Sequence, residues 1–264
     1  MNIDLSSRTA VVTGSTGGIG FAIAAGLARA GADVTIVGRS QTSVDAALAK
    51  LGGATDRARI RGVAADAGTA KGCAVLVAAV PEADILVNNL GIYGARDFFD
   101  ISDAEWEEVL SVNVMSGVRL ARHYAKGMRD RGWGRIQFVS SESALNIPVE
   151  MVHYGVSKAA VQGVSRGLAK VLAGSGVTVN SILPGPTRTE GAVEMLRALA
   201  TERGVEADEM EALFLQENRP SNLLGRFADP DEVAAMSVYL ASAQASATTG
   251  SALRVDGGTV ESIA

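Results

Sequence analysis

The chain has 264 residues, 47% of them hydrophobic, with one cysteine, two histidines and a formal net charge of −5 from 24 basic and 29 acidic side chains. A chain of this length can bury its own core without staples, and a lone thiol, Cys73, with His123 and His153 makes neither an internal disulfide nor a good metal-ligand set. Charges of both signs are spread along the chain, and no run approaches the ~18 apolar residues of a membrane span, so nucleic acid and membrane are not expected partners.

The first residues, MNIDLSSRTA, carry an acid and no long apolar stretch, which fits a cytoplasmic setting. In chain order, short β-branched runs follow at 9–14 (TAVVTG), 33–38 (DVTIVG), 59–66 (RIRGVAAD), 84–89 (DILVNN), 135–141 (RIQFVSS), 177–185 (VTVNSILPG) and 252–258 (ALRVDGG). Their spacing is too long for hairpins, and the stretches between them are helical and rich in alanine and leucine. This is βαβ alternation. The expected fold is α/β: a single doubly wound Rossmann domain over 1–264, with about seven parallel strands and helices on both faces. No linker, repeat or low-complexity tract breaks it. The span 188–220 is the exception, being long and charged, with Met195, Leu196, Leu199, Met210, Leu213 and Phe214 at helical spacing. It reads either as an ordinary helix pair packed on the core or as a lid over a site.

The stretch TGSTGGIG (13–20) follows the first run and opens a helix. Gly14, Gly18 and Gly20 permit a tight turn and close backbone approach, while a helix N-terminus offers unpaired N–H groups to a pyrophosphate. In this strand-turn-helix context, dinucleotide binding is favoured over a plain connector. The second run ends in Val37-Gly38-Arg39-Ser40, where an acid would accept from the ribose of NAD and an arginine pairs with the 2′-phosphate of NADP. Arg39 therefore points to NADP(H) ahead of NAD(H). Asp66 closes the third run, either accepting from an adenine amino group or closing a strand-end turn.

Further along, Tyr154 and Lys158 in YGVSK stand four residues apart and share one face of a helix. That spacing alone is common, but it has company. Thr13, Gly14, Gly18, Ile19 and Gly20, the NNLG of Asn88 to Gly91, Asn113 in VNV, Ser141 thirteen residues before the tyrosine, and PGPTRT (184–189) occur in order, each at the end of a strand run. With these motifs the chain resembles the short-chain dehydrogenase/reductase family over essentially its whole length. Two positions depart from the family pattern: Leu90 replaces a small residue beside the cofactor, and Glu142, expected to face solvent, follows the catalytic serine.

The resemblance implies an NAD(P)(H)-dependent oxidoreductase that moves a hydride between nicotinamide and a ketone or secondary alcohol, with carbonyl reduction by NADPH as the favoured direction. Tyr154 would be the acid that protonates the carbonyl oxygen. A free tyrosine titrates near ~10, and the Lys158 ammonium would lower that value while bonding the nicotinamide ribose. Ser141 would hold the substrate oxygen, and Asn113 a water leading from Lys158 to solvent. Pro184 and Gly185 would turn the chain without committing backbone donors to the sheet; Thr187 would meet the carboxamide and Thr189 the pyrophosphate. The implied cofactor contacts are Gly14, Ser15, Thr16, Gly18, Ile19, Gly20, Arg39, Asp66, Ala67, Asn89, Gly91, Tyr154, Lys158, Pro184, Gly185, Thr187 and Thr189. Helices near 103–127 and 154–172 would pair with their copies in a homotetramer or homodimer. His153, diverging by ~100° from Tyr154 on the helix, is expected at a surface or interface. A 3-oxoacyl-thioester reductase and a catalytically idle dinucleotide sensor are the alternatives; a methyltransferase would want an acid where Arg39 stands.

Overall fold

The computed structural model describes residues 2–52 and 60–263. Seven short runs of mostly apolar residues become strands: β1 (Thr9–Val12), β2 (Asp33–Gly38), β3 (Ile60–Ala64), β4 (Ile85–Asn88), β5 (Gly134–Val139), β6 (Val177–Pro184) and β7 (Ala252–Val255). They form one parallel sheet in the order β3-β2-β1-β4-β5-β6-β7. Arg59, the first residue of the expected third run, lies outside the described residues.

Both faces of this sheet are covered, and the strands show it residue by residue. Ile85 and Val87 of β4 join one core, with Val12 and Ile36, while Leu86 joins the other, with Val11, Ile136 and Phe138. Successive side chains point to opposite faces, so a strand buried on both sides is mostly apolar along its whole length, as β4 is, and its polar exceptions, such as Gln137, must find partners inside. Helices α1 (Gly18–Arg29), α2 (Gln41–Leu51) and α9 (Pro230–Ala241) cover the first face. Helices α3 (Ala70–Ala79), α5 (Ser116–Asp130) and α6 (Val152–Val171) cover the second. A shorter helix, α4 (Asp103–Leu110), precedes α5.

The strand order reverses between β1 and β4, since the chain builds outward through β2 and β3 before crossing back. At such a switch point the loops leaving the carboxyl ends of neighbouring strands part and leave a crevice. Thr13 and Asn89 directly follow the two strands that frame it. Pro184 closes β6, and the Gly185 N–H then donates to Val255 O at 3.1 Å, so this donor stays in the sheet, contrary to the expected release.

The span 188–220 forms helices α7 (Glu190–Arg203) and α8 (Ala207–Asn218). Gly204, at φ +69°, ends α7 in the left-handed region that glycine enters without strain. Leu196, Ala200, Met210 and Leu215 close on Phe227 in a cluster of their own, separate from the two sheet cores. No helix among the described residues is long and apolar enough to cross a membrane.

Candidate active site

One half of the crevice is built from backbone. Gly14 (φ +60°) and Gly18 (φ +54°) take left-handed conformations, and a Cβ on Gly20 would run into Gly14 O and Asn89 Nδ2. The Asn89 carboxamide ties the turn together, Nδ2 donating to Thr13 O at 3.0 Å and Gly14 O at 3.1 Å, while Thr13 Oγ1 accepts from the Asn89 and Leu90 N–H groups. Ser15 is fully buried and fastens the turn to β2: its hydroxyl donates to Val12 O at 2.6 Å and accepts from Val37 N at 2.9 Å. Thr16 packs over Gly38, and Ile19 against the core.

This turn fits an anion. The Gly18 N–H, at the first residue of α1, donates to a carboxylate oxygen, Glu190 Oε2, at 2.9 Å. A cofactor pyrophosphate would use the same kind of donor. At the end of β2, Arg39 is exposed, Ser40 caps α2 by accepting from Ser43 N, and the first turn of α2 has no acid. Asp66 accepts from Gly68 N at 3.2 Å, closing a strand-end turn, and Ala67 is buried behind it.

The other half is built from side chains anchored to backbone. Lys158 is buried, its Nζ donating to Val139 O at 2.9 Å, and Ser140 Oγ donates to the Lys158 carbonyl at 2.9 Å. A Cβ on Gly91 would lie 3.2 Å from that Nζ. Asn113 sits in a π-helical turn, Ser111–Met115, between α4 and α5. Its Oδ1 accepts from Ile92 N at 2.7 Å; its Nδ2 donates to Ile92 O and to Ser157 Oγ, both at 2.9 Å. Such a turn inserts one residue into the helix and re-aims a side chain, a device common at functional sites. Here it fixes the strand-4 loop against α6.

Ser141 caps a short 3-10 turn, its Oγ accepting from Ser143 N at 3.1 Å, and its hydroxyl is the hydrogen-bonding neighbour that lowers the Tyr154 pKa. Burial pushes the Tyr154 pKa up to about 12, against the lowering effects of that hydrogen bond and the Arg219 charge. The Lys158 ammonium does not set this value. Burial pushes Lys158 itself down to about 8, and its Nζ, spent on Val139 O, lies 5.6 Å from the tyrosine ring centroid. The net shift of Tyr154 is therefore upward, where a lowering was expected, because loss of hydration is the largest influence on the phenol.

The structure corrects two further expectations. Glu142 does not face solvent; it is buried, and its Oε1 accepts from Arg219 Nε at 2.8 Å and from Ser143 Oγ at 3.1 Å. His153 is not a surface residue but is buried edge-on to Trp106, with ring centroids 6.0 Å apart. Thr189 turns its methyl toward Gly18 and caps α7, its hydroxyl accepting from Ala192 N at 3.2 Å and keeping its own O–H to donate. Nearby, Thr187 is buried and donates to Gly185 O at 2.8 Å, and a Cβ on Gly185 would lie 2.6 Å from Asp256 O.

Three residues at this site escaped the sequence reading. Glu190 directly follows PGPTRT, Arg219 ends the charged span after β6, and Tyr93 stands two places after NNLG, its ring 5.9 Å from that of Tyr154 in an edge-on arrangement. Each lies next to a recognised motif or segment, and that adjacency is the trace they leave in the sequence.

Residues 14–260 match the family described as enoyl-(acyl carrier protein) reductase. The uncharacterized oxidoreductase YvaG of Bacillus subtilis is 44% identical over 263 residues, spanning 100% of both chains. The 3-oxoacyl-[acyl-carrier-protein] reductase FabG of Aquifex aeolicus is 34% identical over 261 residues, 98% of this chain and 99% of its own. L-sorbose reductase from Gluconobacter frateurii, solved with NADPH and L-sorbose, superposes with a TM-score of 0.94 at 34% identity, covering 100% of both chains. This chain belongs to the short-chain dehydrogenase/reductase family. It is an oxidoreductase of that family, acting on CH–OH groups with a nicotinamide dinucleotide.

Proposed function

We propose that the protein reduces a ketone to a secondary alcohol with NADPH, through Ser141, Tyr154 and Lys158. The observation that carries this reading is the placing of Tyr154 beside Ser141 and the buried Lys158, with burial holding the phenol's pKa up to about 12. A phenol so placed keeps its proton at neutral pH and can deliver it to a carbonyl oxygen as hydride arrives at carbon. Ser141 orients that oxygen. The bound nicotinamide supplies the hydride, and Gly14, Gly18 and Gly20 leave room for the pyrophosphate, with Arg39 toward its 2′-phosphate. The exposed arginine without a neighbouring acid supports NADPH over NADH, as does the NADPH held by the L-sorbose reductase relative.

For the substrate, a neutral hydroxylated ketone of the ketose type is supported by the L-sorbose reductase, and a 3-oxoacyl thioester by FabG at the same identity. NADPH consumption over a panel of ketoses and 3-oxoacyl thioesters decides between them, and no turnover of any ketone would leave only a dinucleotide sensor. We further propose one domain over 1–264 with a lid at 188–220, supported by the separate apolar cluster of α7 and α8. The exposed apolar side chains Met115, Val156 and Val171 support assembly through α5 and α6 as a homotetramer or homodimer, and the single buried cysteine fits the cytoplasm.

A further inference from the structure

Glu190 is the first residue of α7, and it reaches across 172 positions of sequence to the phosphate turn, where its Oε2 accepts from Gly18 N at 2.9 Å. A Cβ on Gly17 would lie 3.7 Å from the same oxygen, and one on Gly18 would lie 3.3 Å from the Thr189 methyl, so the start of α7 is seated directly on the start of α1. Gly18 carries one N–H. A pyrophosphate at this helix terminus needs that donor and brings its own negative charge, so carboxylate and phosphate exclude one another there. The far end of the α7–α8 pair is held differently. Arg219, following α8, pairs with the buried Glu142 beside Ser141, out of reach of such competition.

We propose that Glu190 is a positioning residue that ties α7 to the phosphate turn and cedes the Gly18 N–H to the cofactor pyrophosphate, linking dinucleotide binding to the position of α7. A displaced carboxylate has a second place to go, because it stands in the first turn of α7 and is favoured by that helix's own N-terminus. The α7–α8 pair then swings from its Arg219 end. The proposal rests only on the dinucleotide-binding part of the function proposed above.

The test uses the full chain and two variants at this exposed position, Glu190→Gln, which keeps an acceptor and loses the charge, and Glu190→Ala, which loses both. NADPH affinity is read by nucleotide fluorescence, and hydrogen exchange of α7 is followed with and without inorganic pyrophosphate. Removing the competing charge should tighten NADPH binding roughly two- to fivefold in both variants, the size of one charge at a helix terminus. In the parent, pyrophosphate should speed exchange in the first turn of α7; in Glu190→Ala that turn should exchange fast already and ignore pyrophosphate. Unchanged or weaker NADPH affinity in both variants overturns the proposal while leaving dinucleotide binding intact. A parent that binds neither NADPH nor NADH overturns the underlying reading, and the proposal with it.

Discussion

The two halves of the crevice solve the same problem, holding one end of a dinucleotide complex, with opposite materials. At the phosphate turn the working groups are backbone N–H donors, and side chains such as Asn89 and Ser15 serve only to lock the turn in shape. At the proposed reacting end the working groups would be the side chains of Ser141, Tyr154 and Lys158, and the Val139 carbonyl holds Lys158 in place. The turn is therefore vulnerable to an added atom, because its function is close approach. The reacting end is vulnerable to a removed atom, because its function is one proton at one place.

The sharpest break in that symmetry is Tyr154→Phe. The ring stays, with its edge-on contact to Tyr93, and only the acidic proton goes. Turnover with saturating ketone should fall about a hundred- to ten-thousandfold while the dissociation constant for NADPH stays put. A matching loss of NADPH affinity would mean that the two halves are not separable.

On the cofactor side, Arg39→Ala should weaken NADPH by roughly ten- to hundredfold and leave NADH nearly untouched, the scale of one charge-assisted contact. Parallel titrations of the two nucleotides check it, and equal losses would remove Arg39 from the 2′-phosphate site. Gly20→Ala attacks the turn from inside. The new methyl meets Gly14 O and Asn89 Nδ2, which cannot withdraw without opening the clamp, so stability should drop by about 1–3 kcal/mol in a urea melt and NADPH binding should weaken with it.

These outcomes bear on what the sequence could reveal. The strands were legible because a sheet covered on both faces favours short, mostly apolar and β-branched runs, as in Ile85, Leu86 and Val87. The glycine turn was legible because glycine enters the conformations at 14 and 18 without strain and alone fits the crowding at 20. Asn113 was recognisable as a family position, but not the π-helical turn that aims it, since a single inserted residue leaves no periodic trace. The environments of Glu142 and His153 were misjudged for a related reason. Their partners, Arg219 and Trp106, are distant in sequence, and a lone charge or imidazole carries no mark of whether a partner will cover it.

Lys158 gives the most direct test of how the reacting half is held, read in stability and its pH dependence. Its pKa in the folded chain is pushed down to about 8 from an ordinary value of 10.5 because burial disfavours the ammonium. Below pH 8 both folded and unfolded chains carry the charge, and the full cost of burying it weighs on the fold. Between pH 8 and 10.5 the unfolded chain holds the proton more than the folded one, so stability from this group rises with pH across that window. Lys158→Met removes the buried charge and its titration. At pH 7 the variant should be more stable than the parent by about 1–3 kcal/mol, since each tenfold loss of proton affinity on folding costs ~1.4 kcal/mol, although its turnover is lost. That advantage should shrink as pH climbs from 8 toward 10, in urea melts of the two proteins run side by side. A difference that stays constant with pH would show that the Lys158 ammonium is solvated in the folded chain, and that its bond to Val139 O does not bury it.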